Sequence, residues 1–252
     1  MHPDVYNRGV IASQGFELLY EQGPVLGIAK PAGIATQAPA PFDSLETRIK
    51  DFLRQREGKT GNLYLAIPHR LDRPVSGAMV FARHVRAARK ISTQFEERRV
   101  RKTYWVLVSG DVTPTEGTWR DHLRKVYGHP QAEVVAPDHP EGREAVLHYA
   151  VREKIPLASG AIVSWLEVQL ETGRTHQVRV QAASRGWPLL GDALYGSTVA
   201  FGPEVAEERE RAIALHARSL ALLHPMTRES IELVAPLPEY WRAIVGEGKA
   251  NG

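Results

Sequence analysis

Two stretches of the chain, residues 145–151 and 163–170, carry apolar and polar side chains with a period of two. In the second, Leu166, Val168 and Leu170 fall on one side while Glu167 and Gln169 fall on the other. That period commits both to β-strands with one buried face, because a slip of a single residue would turn the whole apolar set to solvent. Residues 16–20 and 25–29 give two further strands, joined through the turn composition Glu21-Gln22-Gly23-Pro24 into a hairpin. Residues 31–41, rich in Pro and Ala, form a loop, after which Leu45, Ile49, Phe52 and Leu53 recur at helical spacing. The apolar run 63–67 leads into a loop bounded by Pro68 and Pro74, residues 77–82 resume as a buried strand, and Val85, Ala88, Ile91 and Phe95 mark a helix face over 85–97. Residues 103–108 are β-rich, and 131–142 form a polar connection containing Pro. Thr172 or Thr175 caps a helix running through Gln177 and Val180 toward Gly186, which sets Arg174 at or near its first turn. Strands at 220–223 and 231–234 and a helix after Pro238 complete the chain.

Strands outnumber helices, and the two do not alternate regularly. The expected class is therefore α+β with a mixed, largely antiparallel sheet and flanking helices, against a doubly wound fold. With 252 residues, 43% of them hydrophobic, the chain is long enough to bury a full core. One catalytic domain over 1–252, divided by a cleft, is the expected organisation.

Composition removes several function classes. There is no cysteine, so disulfides, thiolate zinc sites, iron–sulfur clusters and cysteine nucleophiles are excluded. No apolar run is long enough to span a bilayer, and the first residues lack the pattern of a signal peptide, so a soluble cytoplasmic protein is expected. The net charge of +3 is mild but uneven. From Arg83 to Lys102 the chain holds Arg83, Arg86, Arg89, Lys90, Arg98, Arg99, Arg101 and Lys102 against Glu96 and Glu97. Such a run suits either a solvated helix face or a track for phosphates.

Two basic clusters carry the chemistry. The first, His69-Arg70-Leu71-Asp72-Arg73-Pro74-Val75-Ser76-Gly77, sets one carboxylate among cations, which makes Asp72 the candidate nucleophile. The second, Gly173-Arg174-Thr175-His176-Gln177-Val178-Arg179, holds two arginines and no acid. They look like halves of one site.

With Lys102-x-Tyr104 between them, and with Lys30-Pro31-Ala32-Gly33, Gly191-Asp192-x-x-Tyr195-Gly196, Leu215-His216-Ala217 and His224-Pro225 in order along the chain, these motifs resemble the RluA family of RNA pseudouridine synthases. Co-occurrence is what makes the resemblance specific, since an isolated Asp in a turn is ordinarily a local cap. The resemblance implies a cofactor-free, metal-free isomerase acting on structured ribosomal or transfer RNA. It implies that Asp72 attacks the sugar or assists loss of the base, that Arg174 pairs with it and favours its charged form, and that Tyr104 lies against the target base and accepts the proton leaving carbon 5. It further implies that Arg70 enters the RNA stack in place of the flipped nucleotide. His69, Arg73, Lys102 and Arg179 are expected to contact RNA, and the protein is expected to be a monomer. Val75, Ala29 and Gln181 stand where the family more often has Thr, Asn and His. The chain starts almost directly with the catalytic region, so target selection is expected to rest on this domain or on a partner.

The rival reading makes His69, Asp72, His122, His176 and His216 ligands of a metal-dependent RNA phosphoesterase. Arginine-rich surroundings repel a divalent cation, which weighs against it. A catalytically silent RNA-binding relative is a third reading, disfavoured because Asp72, Tyr104 and Arg174 are all present.

Overall fold

The structure is a computed structural model and describes residues 10–11 and 15–246. The described residues form two compact units. The first comprises the described residues up to Arg101 together with Ala217–Pro236, and the second comprises Lys102–His216 together with the described residues from Leu237.

In the first unit, β1 (Val10–Ile11), β2 (Phe16–Gln22), β3 (Val25–Lys30) and β4 (Ser76–Ala82) lie side by side, each antiparallel to the next. The β2–β3 hairpin turns at Gly23, as its composition predicts. Helix α1 (Leu45–Glu57) is entered through Ser44, whose hydroxyl accepts from the Thr47 N–H, and leaves through Gly58 in the left-handed region. It buries Leu45, Ile49 and Leu53. Helix α2 (Val85–Glu96) turns Ala87, Ala88 and Ile91 onto a core shared with Val25 of β3 and with Ala78 and Val80 of β4, while Val85, assigned to the buried face from its spacing, is exposed at the first turn.

In the second unit, β5 (Arg101–Ser109), β6 (Glu116–Lys125), β7 (Ala132–Val135), β8 (Arg143–Pro156) and β9 (Ile162–Leu170) form an antiparallel array in the order β5-β9-β8-β6-β7. Helix α3 (Gln177–Ala183) covers it, with Val180 packed against Leu123, Ala132 and Ala145. Beyond it, β10 (Leu215–Leu223) and β11 (Ser230–Val234) return to the first unit, where Leu220, Leu222, Ile231 and Leu233 join the α2 core. Helix α4 (Glu239–Val245) closes the described chain with Trp241 fully buried. The class is α+β, as expected. No helix among the described residues is long and apolar enough to cross a membrane.

Two elements depart from the sequence expectations. The polar segment 131–142 contains β7, a short edge strand, and β6 precedes it. The apolar period of β6 is broken at Asp121, which stays inside because it binds the Gln181 amide at 2.7 Å and Arg185 at 2.9 Å. Helix α3 is not capped by Thr172 or Thr175. Its cap is His176, in the left-handed region at φ 53°, which leaves Arg174 outside the helix.

Candidate active site

Asp72 sits on an irregular loop that the first unit holds by its backbone. Lys30, at the end of β3 and 1% exposed, donates to the carbonyls of Pro31, Arg73 and Val75 at 2.9, 3.1 and 2.7 Å. The Thr36 hydroxyl accepts from the Leu71 N–H at 3.2 Å and donates to the Leu71 carbonyl at 2.8 Å. Gly33 N–H donates to the Arg73 carbonyl, and the Val75 N–H closes a turn onto the Asp72 carbonyl. The residues on both sides of Asp72 are thus fixed, and its carboxylate is presented from a preset backbone. Burial pulls the Lys30 ammonium down to about 7, opposed by the Asp72 carboxylate and reinforced by Arg73. The Ser76-Gly77 end of the motif has its own reason. Gly77 lies at φ 128°, and a Cβ there would meet the Ala217 carbonyl oxygen at 2.3 Å, so only glycine lets β4 approach Ala217.

Arg70 is exposed at the loop surface, and Arg73 is half-buried beside Asp72. His69, expected to contact RNA, is tied into the framework. Its Nε2 accepts from the Val80 N–H at 3.0 Å and its ring stacks on Phe95 at 4.7 Å, so it fastens the loop to β4 and α2.

The second unit holds the other candidates. Tyr104 and Lys102 lie on β5, with Tyr104 half-buried opposite Val168 of β9. A Cβ on Gly173 would stand 3.8 Å from the Lys102 Nζ, which brings the Gly173-Arg174 turn against that strand. The turn is built by buried side chains: the Thr172 hydroxyl accepts from the Val146 N–H at 2.9 Å and donates to Gln177 Oε1 at 2.7 Å, and the same Oε1 accepts from the Arg174 N–H at 3.0 Å. Arg174 is exposed, with Nε donating to the Glu144 carbonyl at 2.9 Å.

Arg179 is buried and bidentate to Asp192, at 2.6 and 2.8 Å, with its guanidinium 5.1 Å from the Tyr195 ring centre. The pair ties Arg179 into the framework of its unit. Tyr195 in turn bonds His176 Nδ1 at 2.9 Å and the Ala132 N–H at 2.8 Å. The Gly191-Asp192-x-x-Tyr195-Gly196 motif is therefore the brace of the Gly173–Arg179 motif. Lys30, Thr36, Asp192 and Tyr195 are the supporting residues to which sequence reasoning gave no role. The motif positions of Lys30, Asp192 and Tyr195 were a signal and Thr36 carried none, and the partners of all four lie far away in sequence. Of the rival metal set, His69 and His176 are engaged as described, and among the described residues no three of His, Asp and Glu are grouped to share a metal ion.

The family model for RNA pseudouridylate synthase matches residues 24–184. The chain belongs to the RNA pseudouridylate synthase family. It is 34% identical over 247 residues to an uncharacterised RNA pseudouridine synthase of Synechocystis sp., covering 96% of this chain and 72% of the relative. It is 35% identical over 228 residues to ribosomal large subunit pseudouridine synthase D of Xanthomonas campestris, covering 88% and 66%. Its fold matches the human RNA pseudouridylate synthase domain containing 4, with a TM-score of 0.69, 23% identity and 89% of each chain covered. The resemblance drawn from the motifs holds. The protein is an isomerase of the RNA pseudouridine synthase class, and RNA is its substrate.

Proposed function

We propose that the uridine isomerised lies in structured ribosomal or transfer RNA, that it is flipped from its stack, and that Asp72 is the nucleophile. The observation that carries this reading is the Asp72 loop, fixed on both sides of the carboxylate by Lys30 and Thr36 in a chain of this family. The bond between C1′ and uracil N1 breaks with Asp72 attacking the sugar or assisting departure of the base. The base turns, C5 bonds to C1′, the C5 proton leaves and N1 takes up a proton. Oxidation state does not change and water is not consumed, so neither a metal nor a cofactor is required. Tyr104 lies against the base and accepts the C5 proton. Arg174, which is exposed, pairs with the Asp72 carboxylate and holds it charged. Arg70 fills the gap left by the flipped nucleotide, Arg73 and Lys102 hold RNA phosphates, and His69 and Arg179 act through the framework. Residues 1–252 work as one catalytic domain, as a monomer in the cytoplasm. The ribosomal target draws support from the name of the Xanthomonas relative.

The test is purified protein on ribosomal and transfer RNA transcripts folded in monovalent salt, with pseudouridine mapped at nucleotide resolution. Formation at a defined uridine, unchanged by a strong chelator, is the expected result. Loss with chelator, restored by zinc or manganese, would favour the metal-site reading.

A further inference from the structure

The β6–β7 hairpin carries features that isomerisation does not use. The two strands pair from His122↔Val135 to Lys125↔Ala132, and the Val126 N–H extends the ladder to the Gln131 carbonyl at 2.9 Å. The turn beyond it, Tyr127-Gly128-His129-Pro130, is shaped by Gly128 in the left-handed region at φ 76°. At its tip Tyr127 is 100% exposed, so its ring is presented to solvent from an ordered backbone. A single exposed aromatic is unremarkable by itself. This one stands two residues from a cavity of about 310 Å³ lined by Arg124, Lys125, Glu141, Arg143, Arg174 and Thr175. Arg124 is held by Glu133 at 2.5 Å and by Glu141 at 3.5 Å, which neutralises it. Lys125 and Arg143 are exposed, and so is Arg174 at the cavity's edge.

We infer that this hairpin is a nucleotide-binding subsite, distinct from the residues that act on the target uridine: one RNA phosphate enters the cavity between Lys125 and Arg143, and an unpaired base stacks on Tyr127. Exposed cations lining one cavity suit a phosphodiester, and a fully exposed ring suits a base that needs only a π-face. The inference rests on RNA being the substrate and places a nucleotide flanking the target, since Arg174 borders the same cavity.

The test is equilibrium binding of oligouridylate and of a folded transfer RNA transcript to full-length protein, across a salt series. Tyr127→Ala should weaken binding about tenfold or more, with the salt slope unchanged, and Tyr127→Phe should bind like wild type. Arg143→Gln should weaken binding and lower the slope of log K against log salt by about one. Equal affinity in wild type, Tyr127→Ala and Arg143→Gln overturns the inference, as does equal loss in Tyr127→Ala and Tyr127→Phe. Pseudouridine formation by wild type on the same transcript keeps the two readings apart. An active enzyme whose affinity ignores both positions overturns the subsite alone, and a protein that binds through them yet forms no pseudouridine overturns the function and leaves the subsite standing.

Discussion

At the scale of single residues, Lys30 holds the loop that carries the candidate nucleophile Asp72. Its ammonium is buried against three carbonyls, two of them flanking Asp72, and desolvation brings it from 10.5 to about 7. Below pH 7 it is charged in both the folded and unfolded chain, and the cost of burying that charge is carried in full. Between about 7 and 10.5 the unfolded chain holds the proton more tightly, so stability rises with pH across that window. Between pH 7 and pH 9 the unfolding free energy of wild type should therefore gain about 2 kcal/mol relative to Lys30→Met. Denaturant titrations at the two pH values read this directly, and parallel pH dependences in the two proteins would contradict it. Asp72 stands out in the sequence as a candidate because the cations around it are its immediate neighbours. Lys30 was legible only as a motif letter, since the carbonyls it binds lie 43 and 45 residues away.

At the scale of elements, α3 is held to its unit by an ion pair whose members are 5% and 1% exposed. Removing one member leaves the other charge buried and unpaired, which typically costs about 3–5 kcal/mol. Arg179→Ala should lose stability on that order in chemical denaturation, whereas Arg179→Met combined with Asp192→Leu should recover most of it; a loss under about 1 kcal/mol in Arg179→Ala would show that the pair does not brace the helix. The pair was not legible in the sequence, because nothing next to Arg179 signals a carboxylate 13 residues later that folds back onto it. Strand β6 escaped detection for a related reason, as Asp121 interrupts its apolar period and finds its partners, Gln181 and Arg185, only in the folded unit. The long apolar strands and the β2–β3 hairpin were legible because their signals are local. The loop of Asp72 carries a mechanical prediction. Arg70→Ala should slow single-turnover conversion most when the target uridine begins stacked in a stem-loop, since unstacking costs a few kcal/mol, and much less on a short unpaired oligonucleotide. Equal slowing on both would assign Arg70 to catalysis or to the loop in place of flipping.

At the scale of the whole molecule, an α+β fold without cysteine presents one carboxylate from a backbone that two buried side chains, Lys30 and Thr36, hold in place. Membership of the RNA pseudouridylate synthase family gives the reaction class. Val75, Ala29 and Gln181 leave the two motif frameworks intact; Gln181 retains a buried donor, bonded to Asp121. The most direct measurement is pseudouridine mapping in total RNA from cells lacking the gene, complemented with wild type or with Asp72→Asn, a near-isosteric change that keeps the loop while removing the carboxylate. The account predicts a discrete pseudouridine that disappears with the gene, returns with wild type and stays absent with an equally abundant, folded Asp72→Asn protein. Restoration of the site by Asp72→Asn to more than a few per cent of the wild-type level would contradict it.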